Sequence, residues 1–139
     1  MMAKYAKNTT VPVSRSKVQV QDLLINYGIE EFFFGTSPRG DGIGFKYEGK
    51  VYKHNVPMPD PNDYRYDTQY KQAIKQRWRI FYMSLKMKLE EIQSGGVTFE
   101  DQFLAMMALP NGTTVGDFMR LPENVAMLQK SEMPKLLTG

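Results

Sequence analysis

One apolar stripe dominates the pattern of hydrophobic and polar positions in the second half of the chain. Its members step by four, three, four, four and three residues, the spacing of one face of an α-helix over about five turns. They are Ile74, Trp78, Phe81, Leu85, Leu89 and Ile92. Gly95-Gly96 marks the end of this helix, and Asp63 or Asp67 is expected to cap its start. The pattern predicts one long amphipathic helix.

Three predicted strands precede this helix. Residues 29–36 contain a run of phenylalanines, residues 43–47 alternate apolar and polar side chains, and residues 51–56 end at a proline. The Glu-Gly-Lys sequence of residues 48–50 predicts a tight hairpin turn between the second and third strands. The first strand has three consecutive phenylalanines, so both of its faces are expected to be covered.

Shorter helices flank these elements. The first is expected to start at a cap supplied by Ser14 or Ser16 and to stop at Gly28. Thr98 predicts the cap of a short helix after the long one, and Thr114 begins one further helical turn. The predicted order is therefore helix, three strands, long helix, short helix.

This order predicts an α+β fold, in which a three-stranded antiparallel meander carries its helices on one face. The stripe of the long helix is expected to pack on the phenylalanines of the first two strands. We predict a flexible N-terminal arm, 1–10, a single domain, 11–119, and a loosely attached tail, 120–139. A domain of this size buries a core without covalent staples.

Composition removes several classes of function. The chain has no cysteine, which excludes disulfides and thiolate metal sites. No apolar run approaches the roughly 18 residues that span a bilayer. Residues 1–10 lack the apolar segment of a secretory signal. We therefore expect an intracellular protein, in the cytoplasm of its host cell, with no membrane partner.

Positive charge is concentrated on the long helix. The net charge is only +3, but residues 71–88 carry six basic and no acidic side chains. One flank of the stripe holds Lys71, Lys75, Arg79, Tyr82 and Lys86. Such a flank predicts phosphate contacts by the cations and stacking of the tyrosine on an unpaired base. The alternative is a solvated flank whose aliphatic stems cover apolar surface. In both cases we expect substitutions there to leave stability nearly unchanged.

The sequence shows no recognisable active site, and it predicts no metal and no cofactor. The glycine-rich loop of residues 35–44 lacks the spacing of a phosphate-binding loop and leads into a strand, which favours an ordinary hairpin. His54, the only histidine, is expected to be structural or exposed, and not a general base beside Asp60 or Asp63. The sequence therefore favours a protein that is not an enzyme.

Short segments spread over residues 10–119 carry a further signal. They are Thr10-Val11-Pro12-Val13, Ser16, Leu23-Leu24, Tyr27-Gly28, Val56-Pro57-Met58-Pro59-Asp60, Gln76-Arg77-Trp78-Arg79, Leu109-Pro110-Asn111-Gly112 and Val115-Gly116. On these segments the chain resembles a group of small proteins carried by phages and other mobile elements. The resemblance implies a setting in which nucleic-acid handling and interference with host proteins are both common. It carries no catalytic or binding residue over to this chain.

Two hypotheses follow. The first is a nucleic-acid-binding accessory protein of a phage or mobile element, held by phosphate contacts and weakly sequence-specific, with DNA or RNA left open. The alternative is a protein–protein interaction module, an inhibitor or adaptor that docks on a host or viral protein and offers its basic helix to an acidic surface. The ten methionines and the tyrosines near residues 64–70 favour the second. The sequence does not predict the oligomeric state.

Overall fold

The computed structural model describes residues 5–38 and 40–134. Its helices and strands are α1 (Val13–Tyr27), β1 (Glu31–Ser37), β2 (Gly40–Tyr47), β3 (Lys50–Pro57), α2 (Asp67–Gln93), α3 (Phe99–Gln102), α4 (Val115–Met119) and α5 (Pro122–Gln129). Single 3₁₀ turns lie at Pro61–Asp63 and Leu104–Met106. Residues 1–4 of the predicted arm, Arg39 of the glycine-rich loop and residues 135–139 of the predicted tail lie outside the described residues.

The three strands form one antiparallel sheet in the order β1–β2–β3. In its register Phe45 lies between Phe32 on one side and Tyr52 on the other. The turn between β2 and β3 consists of Glu48 and Gly49, with φ of 49° and 79°. Two successive positive φ values are those of a type I′ turn, whose twist matches the flanking strands. The predicted meander and its hairpin turn are confirmed.

The stripe of α2 is buried on one face of this sheet. The rings of Phe34 and Trp78 have centroids 6.2 Å apart, and His54 meets Phe81 edge-on at 4.8 Å. Trp78 has no exposed surface, and Leu85 belongs to the same buried cluster. The α+β fold, with a long helix on one sheet face, is therefore confirmed, as is the packing of the stripe on aromatic side chains of the strands.

The opposite face of the sheet is open. Phe33 points to that face and is 63% exposed. Its ring covers Gly44, where a Cβ would lie 2.3 Å from the ring atom Cε1. The prediction that both faces of the first strand are covered is therefore wrong. Part of the Phe33 ring packs on Gly44 of the neighbouring strand, while the stripe of α2 is buried on the other face of the sheet.

The helices α1 and α2 are present, but the predicted N-cap residues of both are wrong. α1 begins at Val13, so Ser14 and Ser16 lie inside it, and the preceding proline already fixes an extended entry. α2 begins at Asp67 behind Tyr66 and has no side-chain cap. Asp67 instead places its negative charge in the first turn, where it favours the helix dipole. The predicted end of α1 is confirmed by its glycine C-cap at φ 101°.

The N-terminal segment lies along α2. Gln72 Nε2 donates to the main-chain carbonyls of Lys7 and Thr9 at 3.2 and 2.7 Å. Gln76 Nε2 donates to the carbonyl of Tyr5 at 2.7 Å. These contacts attach residues 5–9 to the helix through main-chain groups. The division of the chain into arm, domain and tail stays a prediction.

After α2 the chain returns to the outer edge of β3. The main-chain N–H of Ala108 donates to the carbonyl of Val51 at 2.8 Å. Tyr52 pairs with Met107, and Ala108 pairs with Thr114, in isolated antiparallel bridges. The sequence predicts only a turn and helical fragments here. The pairing escapes prediction because its partner strand lies far away along the chain.

The last described helix, α5, buries none of its residues. It is joined to α4 through Asn124, whose Nδ2 donates to the carbonyl of Phe118 at 2.7 Å. Phe118, Leu121, Met127 and Leu128 are each 42 to 57% exposed. This end of the molecule therefore presents apolar surface to solvent.

We predict that Trp78→Ala lowers the free energy of unfolding by about 3–5 kcal/mol, because it removes a fully buried ring and leaves a cavity. Met87→Ala is the matched control, since Met87 lies on the same helix but is 60% exposed. It should change stability by no more than about 0.5 kcal/mol. Urea unfolding followed by circular dichroism measures both, and equal effects of the two substitutions would contradict the assigned core.

Candidate nucleic-acid interface

The predicted phosphate-contacting flank of α2 lies beside α1. Helical spacing places its five residues on one side of the apolar stripe. They are Lys71, Lys75, Arg79, Tyr82 and Lys86. Arg79 Nη1 donates a hydrogen bond to Gln19 Oε1 of α1. The structure therefore brings Arg79 to the contact between two packed helices. We call this contact, with the flank of α2 that runs along it, the α1–α2 seam.

Arg79 is fixed by two neutral partners. One is Gln19, and the other is the ring of Tyr82, whose centroid lies 4.6 Å from the guanidinium carbon. Neither partner neutralises the charge of Arg79. Tyr82 is half-buried against the core, so a base that stacks on it would have to displace the guanidinium from that ring. Arg79 therefore has a structural role as well as an available positive charge.

The lysines of the flank differ in their partners. Lys71 Nζ lies 3.0 Å from a carboxylate oxygen of Asp67, and both side chains are well exposed. Such a pair contributes little to stability and leaves the lysine accessible. Lys75 and Lys86 are half-buried, and neither makes an ion pair within residues 5–38 and 40–134. These two side chains hold the least constrained charges of the seam.

Two other cations near α2 cover aromatic rings of the core. Lys17 Nζ lies 5.0 Å from the ring centroid of Trp78 and 3.7 Å from a carboxylate oxygen of Asp41. Lys88 Nζ lies 5.9 Å from the ring centroid of Phe103. Burial lowers the pKa of Lys88. For these two lysines the structural interpretation, in which cations cover apolar surface, fits the contacts better than phosphate binding.

Sequence reasoning missed the contribution of α1 to this surface. Arg15 lies one helical turn before Gln19, on the side of α1 that meets Arg79. Asp22, three residues after Gln19, brings a negative charge to the same side. The excess of positive charge is therefore largest at the end of the seam where α1 begins. No signal in the sequence could reveal Arg15, because only the packing of the two helices places it there.

His54 has contacts typical of a structural histidine. Its Nδ1 lies 2.8 Å from the carbonyl of Asn55, and its ring meets Phe81. Burial lowers the pKa of His54, the charge of Lys88 acts in the same direction, and the contact with Asn55 opposes them. None of the side-chain hydrogen bonds or ion pairs among the described residues joins His54 to an aspartate.

A cleft of about 320 Å³ opens at one end of the sheet, where α1 leads into β1. Glu30, Glu31 and Glu48 line it together with Lys46. Its carboxylates outnumber its cations, so this end of the molecule repels a polyanion. Over the described ranges, no group of three or more His, Cys, Asp or Glu side chains is placed to hold a metal ion. None of the helices in those ranges has the length and apolar character needed to cross a bilayer.

Comparisons with protein-family models, with curated proteins and with solved structures found no match for this chain.

Substitutions in the seam should separate structural from exposed cations. We predict that Arg79→Ala lowers the free energy of unfolding by about 1–2 kcal/mol, because it removes the hydrogen bond to Gln19 and the contact with Tyr82. Lys75→Ala, the control on the same flank, should change it by no more than about 0.5 kcal/mol. Thermal and urea unfolding report both values. Equal, negligible effects would show that Arg79 is only a solvated cation.

We predict that the free energy of unfolding falls in mild acid because of His54. Its folded-state pKa is lowered, so below an unfolded pKa of about 6.5 the unfolded chain takes up the proton first. The stability supplied by the neutral imidazole is complete above that pH and declines as the pH falls towards the folded-state pKa. His54→Gln should flatten this part of the profile. Urea midpoints of wild type and variant at about pH 7.5 and pH 5 test it. Parallel profiles would exclude His54 as the cause.

Proposed function

We propose that the protein binds nucleic acid at the α1–α2 seam, through phosphate contacts made by the basic residues of α2. One observation carries the proposal. Lys75, Arg79 and Lys86 present positive charges that no carboxylate among the described residues pairs with. Surface helices normally mix charges of both signs, and an unpaired cationic row attracts a polyanion.

The spacing of the row suits a phosphate backbone. A helix rises 1.5 Å per residue, so Lys71, Lys75 and Arg79 follow each other at about 6 Å along the axis. From Lys71 to Lys86 the row extends about 22 Å, the axial length of about six phosphates of one strand of a duplex. The planar guanidinium of Arg79 can bind a phosphate with two parallel hydrogen bonds.

Binding of this kind is weakly sequence-specific. Phosphate contacts position a protein on nucleic acid but carry no sequence information directly. Within the proposal, DNA and RNA are both suitable partners, because the row contacts the phosphates that they share. The resemblance to phage and mobile-element proteins supports an accessory role in such an element, in which the protein coats or escorts nucleic acid and performs no catalysis.

The test is the salt dependence of binding. Labelled single- and double-stranded oligonucleotides are titrated with wild type and with Lys75→Glu/Lys86→Glu at about 50 and 200 mM salt. Wild-type affinity should fall steeply with salt, because each neutralised phosphate releases condensed counterion. The double variant should bind all sequences more weakly and flatten the salt slope by about one unit per lost contact.

The control is a double variant with the same change of net charge at the ends of α4 and α5, Arg120→Glu/Lys130→Glu. Both of its target residues are exposed, and the one ion pair that Arg120 makes within residues 5–38 and 40–134 is with Asp117, at 3.2 Å. It should retain the wild-type salt slope. Equal losses in the two double variants would indicate a net-charge effect with no defined site. Absence of binding by wild type at about 50 mM salt would refute the proposal.

The apolar surface at the C-terminal end favours a second candidate, a protein-docking module. Phe118, Leu121, Met127 and Leu128 remain exposed on α4, on α5 and between them. Exposed apolar side chains in one region are typical of a protein interface. Replacing Met127 and Leu128 by Ser should abolish such docking and leave nucleic-acid binding at the α1–α2 seam unchanged.

A further inference from the structure

The two edges of the sheet differ in their partners. The outer edge of β3 is bordered by the returning chain at Met107 and Ala108. β1 pairs with β2 on one side, and on its other side no strand among the described residues pairs with it. β1 is seven residues long and is therefore a sizeable unpaired edge.

The turn between β2 and β3 determines which main-chain groups of β1 point outward. In a two-residue hairpin the residues that flank the turn, Tyr47 and Lys50, form a hydrogen-bonded pair, and such pairs alternate along the ladder. Val51 then points its carbonyl to the outer edge of β3, which agrees with the hydrogen bond it accepts from Ala108. The same alternation across β2 makes Phe33 bond to Gly44.

The outward-facing groups of β1 therefore belong to Phe32, Phe34 and Thr36. Across the described ranges, none of the hydrogen bonds between elements involves the main chain of these three residues. The side chains of Phe32 and Phe34 are half-buried, and Thr36 is exposed. Main-chain N–H and C=O groups of this kind are an available template for another strand.

β1 also lacks the features that normally prevent edge pairing. Its sequence, EFFFGTS, has no lysine, no proline and one charged residue, Glu31 at its start. Phe33 is 63% exposed on the open face. Protected edges instead carry charges, prolines or bulges along their length. Pairing at this edge would remove unpaired main-chain groups from water.

We propose that β1 pairs with β1 of a second copy of this chain, antiparallel, about a two-fold axis at Phe34. In this register Phe34 faces its counterpart and Phe32 faces Thr36, so all three outward-facing residues form hydrogen-bonded pairs. The two sheets join into one continuous sheet whose helices share one face. The contact is isologous and closes as a dimer.

Two features of β1 select its own copy as the partner. Glu31 comes opposite the uncharged Ser37, so the pairing places no like charges against each other. Phe33 comes opposite Gly35, where nothing lies within 4 Å of the position of a Cβ. The Phe33 ring stays on Gly44 of its own copy, and the partner's Gly35 brings no side chain against it.

Sedimentation equilibrium over about 10 µM to 1 mM protein tests the dimer, because it detects dissociation constants up to about 1 mM. Thr36→Pro removes an outward-facing N–H and keeps the ladder to β2, a position at which an edge strand tolerates proline. It should weaken dimerisation about tenfold or more, since the lost hydrogen bond occurs twice in the symmetric contact. Thr36→Val is the matched control, because it keeps the N–H and should dimerise like wild type.

Amide hydrogen exchange supplies a readout that does not depend on the variants. In wild type, protection of the Phe32, Phe34 and Thr36 amides should rise with protein concentration, while protection within α2 should not. A monomer at every concentration would overturn the proposal and leave the edge to a strand of another protein. The proposal would also be overturned if Thr36→Pro dimerised as strongly as wild type and the β1 amides of wild type showed no concentration-dependent protection.

Discussion

Burial of the α2 stripe against one face of the sheet is the interaction on which the rest of the structure depends. Trp78 loses all contact with water there, and Phe45 and Tyr52, which stack with ring centroids 5.4 Å apart, belong to the same buried cluster. Each large side chain so buried contributes roughly 1.5–3 kcal/mol. Because α1 packs beside α2, both long helices cover the same face of the sheet. The other side of the sheet keeps only the partial cover that Phe33 gives to Gly44.

The same packing sorts the cations of α2 into two groups. Where a basic side chain runs across an aromatic ring, as Lys88 does at Phe103 and Arg79 does at Tyr82, it belongs partly to the core. Where the flank turns away from the rings, Lys75 and Lys86 keep their charge without an acidic neighbour among the described residues. The proposed function rests on the second group together with Arg79, whose charge also has no carboxylate partner among the described residues. A uniformly basic helix thus contains residues of different physical roles.

The sheet is also asymmetric at its edges. The segment after α3 borders β3 by pairing at Tyr52 and Ala108, and its Thr114 begins α4 with a complete capping box. β1 precedes the rest of the sheet in the chain, and its outer edge is left without a strand. A three-stranded meander has two edges, and here only one is bordered by another part of the described chain. This asymmetry is the physical basis for the proposed pairing of β1 with a second copy.

The sequence by itself determined the features that depend on local periodicity and local conformational preference. The spacing of the α2 stripe, the glycine end of α1 and the Glu48-Gly49 turn all follow from residues within a few positions of each other. From these the α+β class and the packing of Trp78 on the sheet could be predicted. The positions of the flank residues on one side of α2 could also be predicted, since they follow from the same helical period.

Only the tertiary structure decided which of those residues are available. The exposure of Phe33 depends on which face of the sheet the helices cover, and its partial cover depends on Gly44 in the neighbouring strand. The structural role of Arg79 depends on Gln19 in another helix, and the bordered edge of β3 depends on residues more than fifty positions later. Contacts between residues far apart in the chain follow from how the elements pack. The pattern of residues within one segment therefore does not predict them. For that reason the sequence predicts where the charges of α2 lie but not which of them remain unpaired.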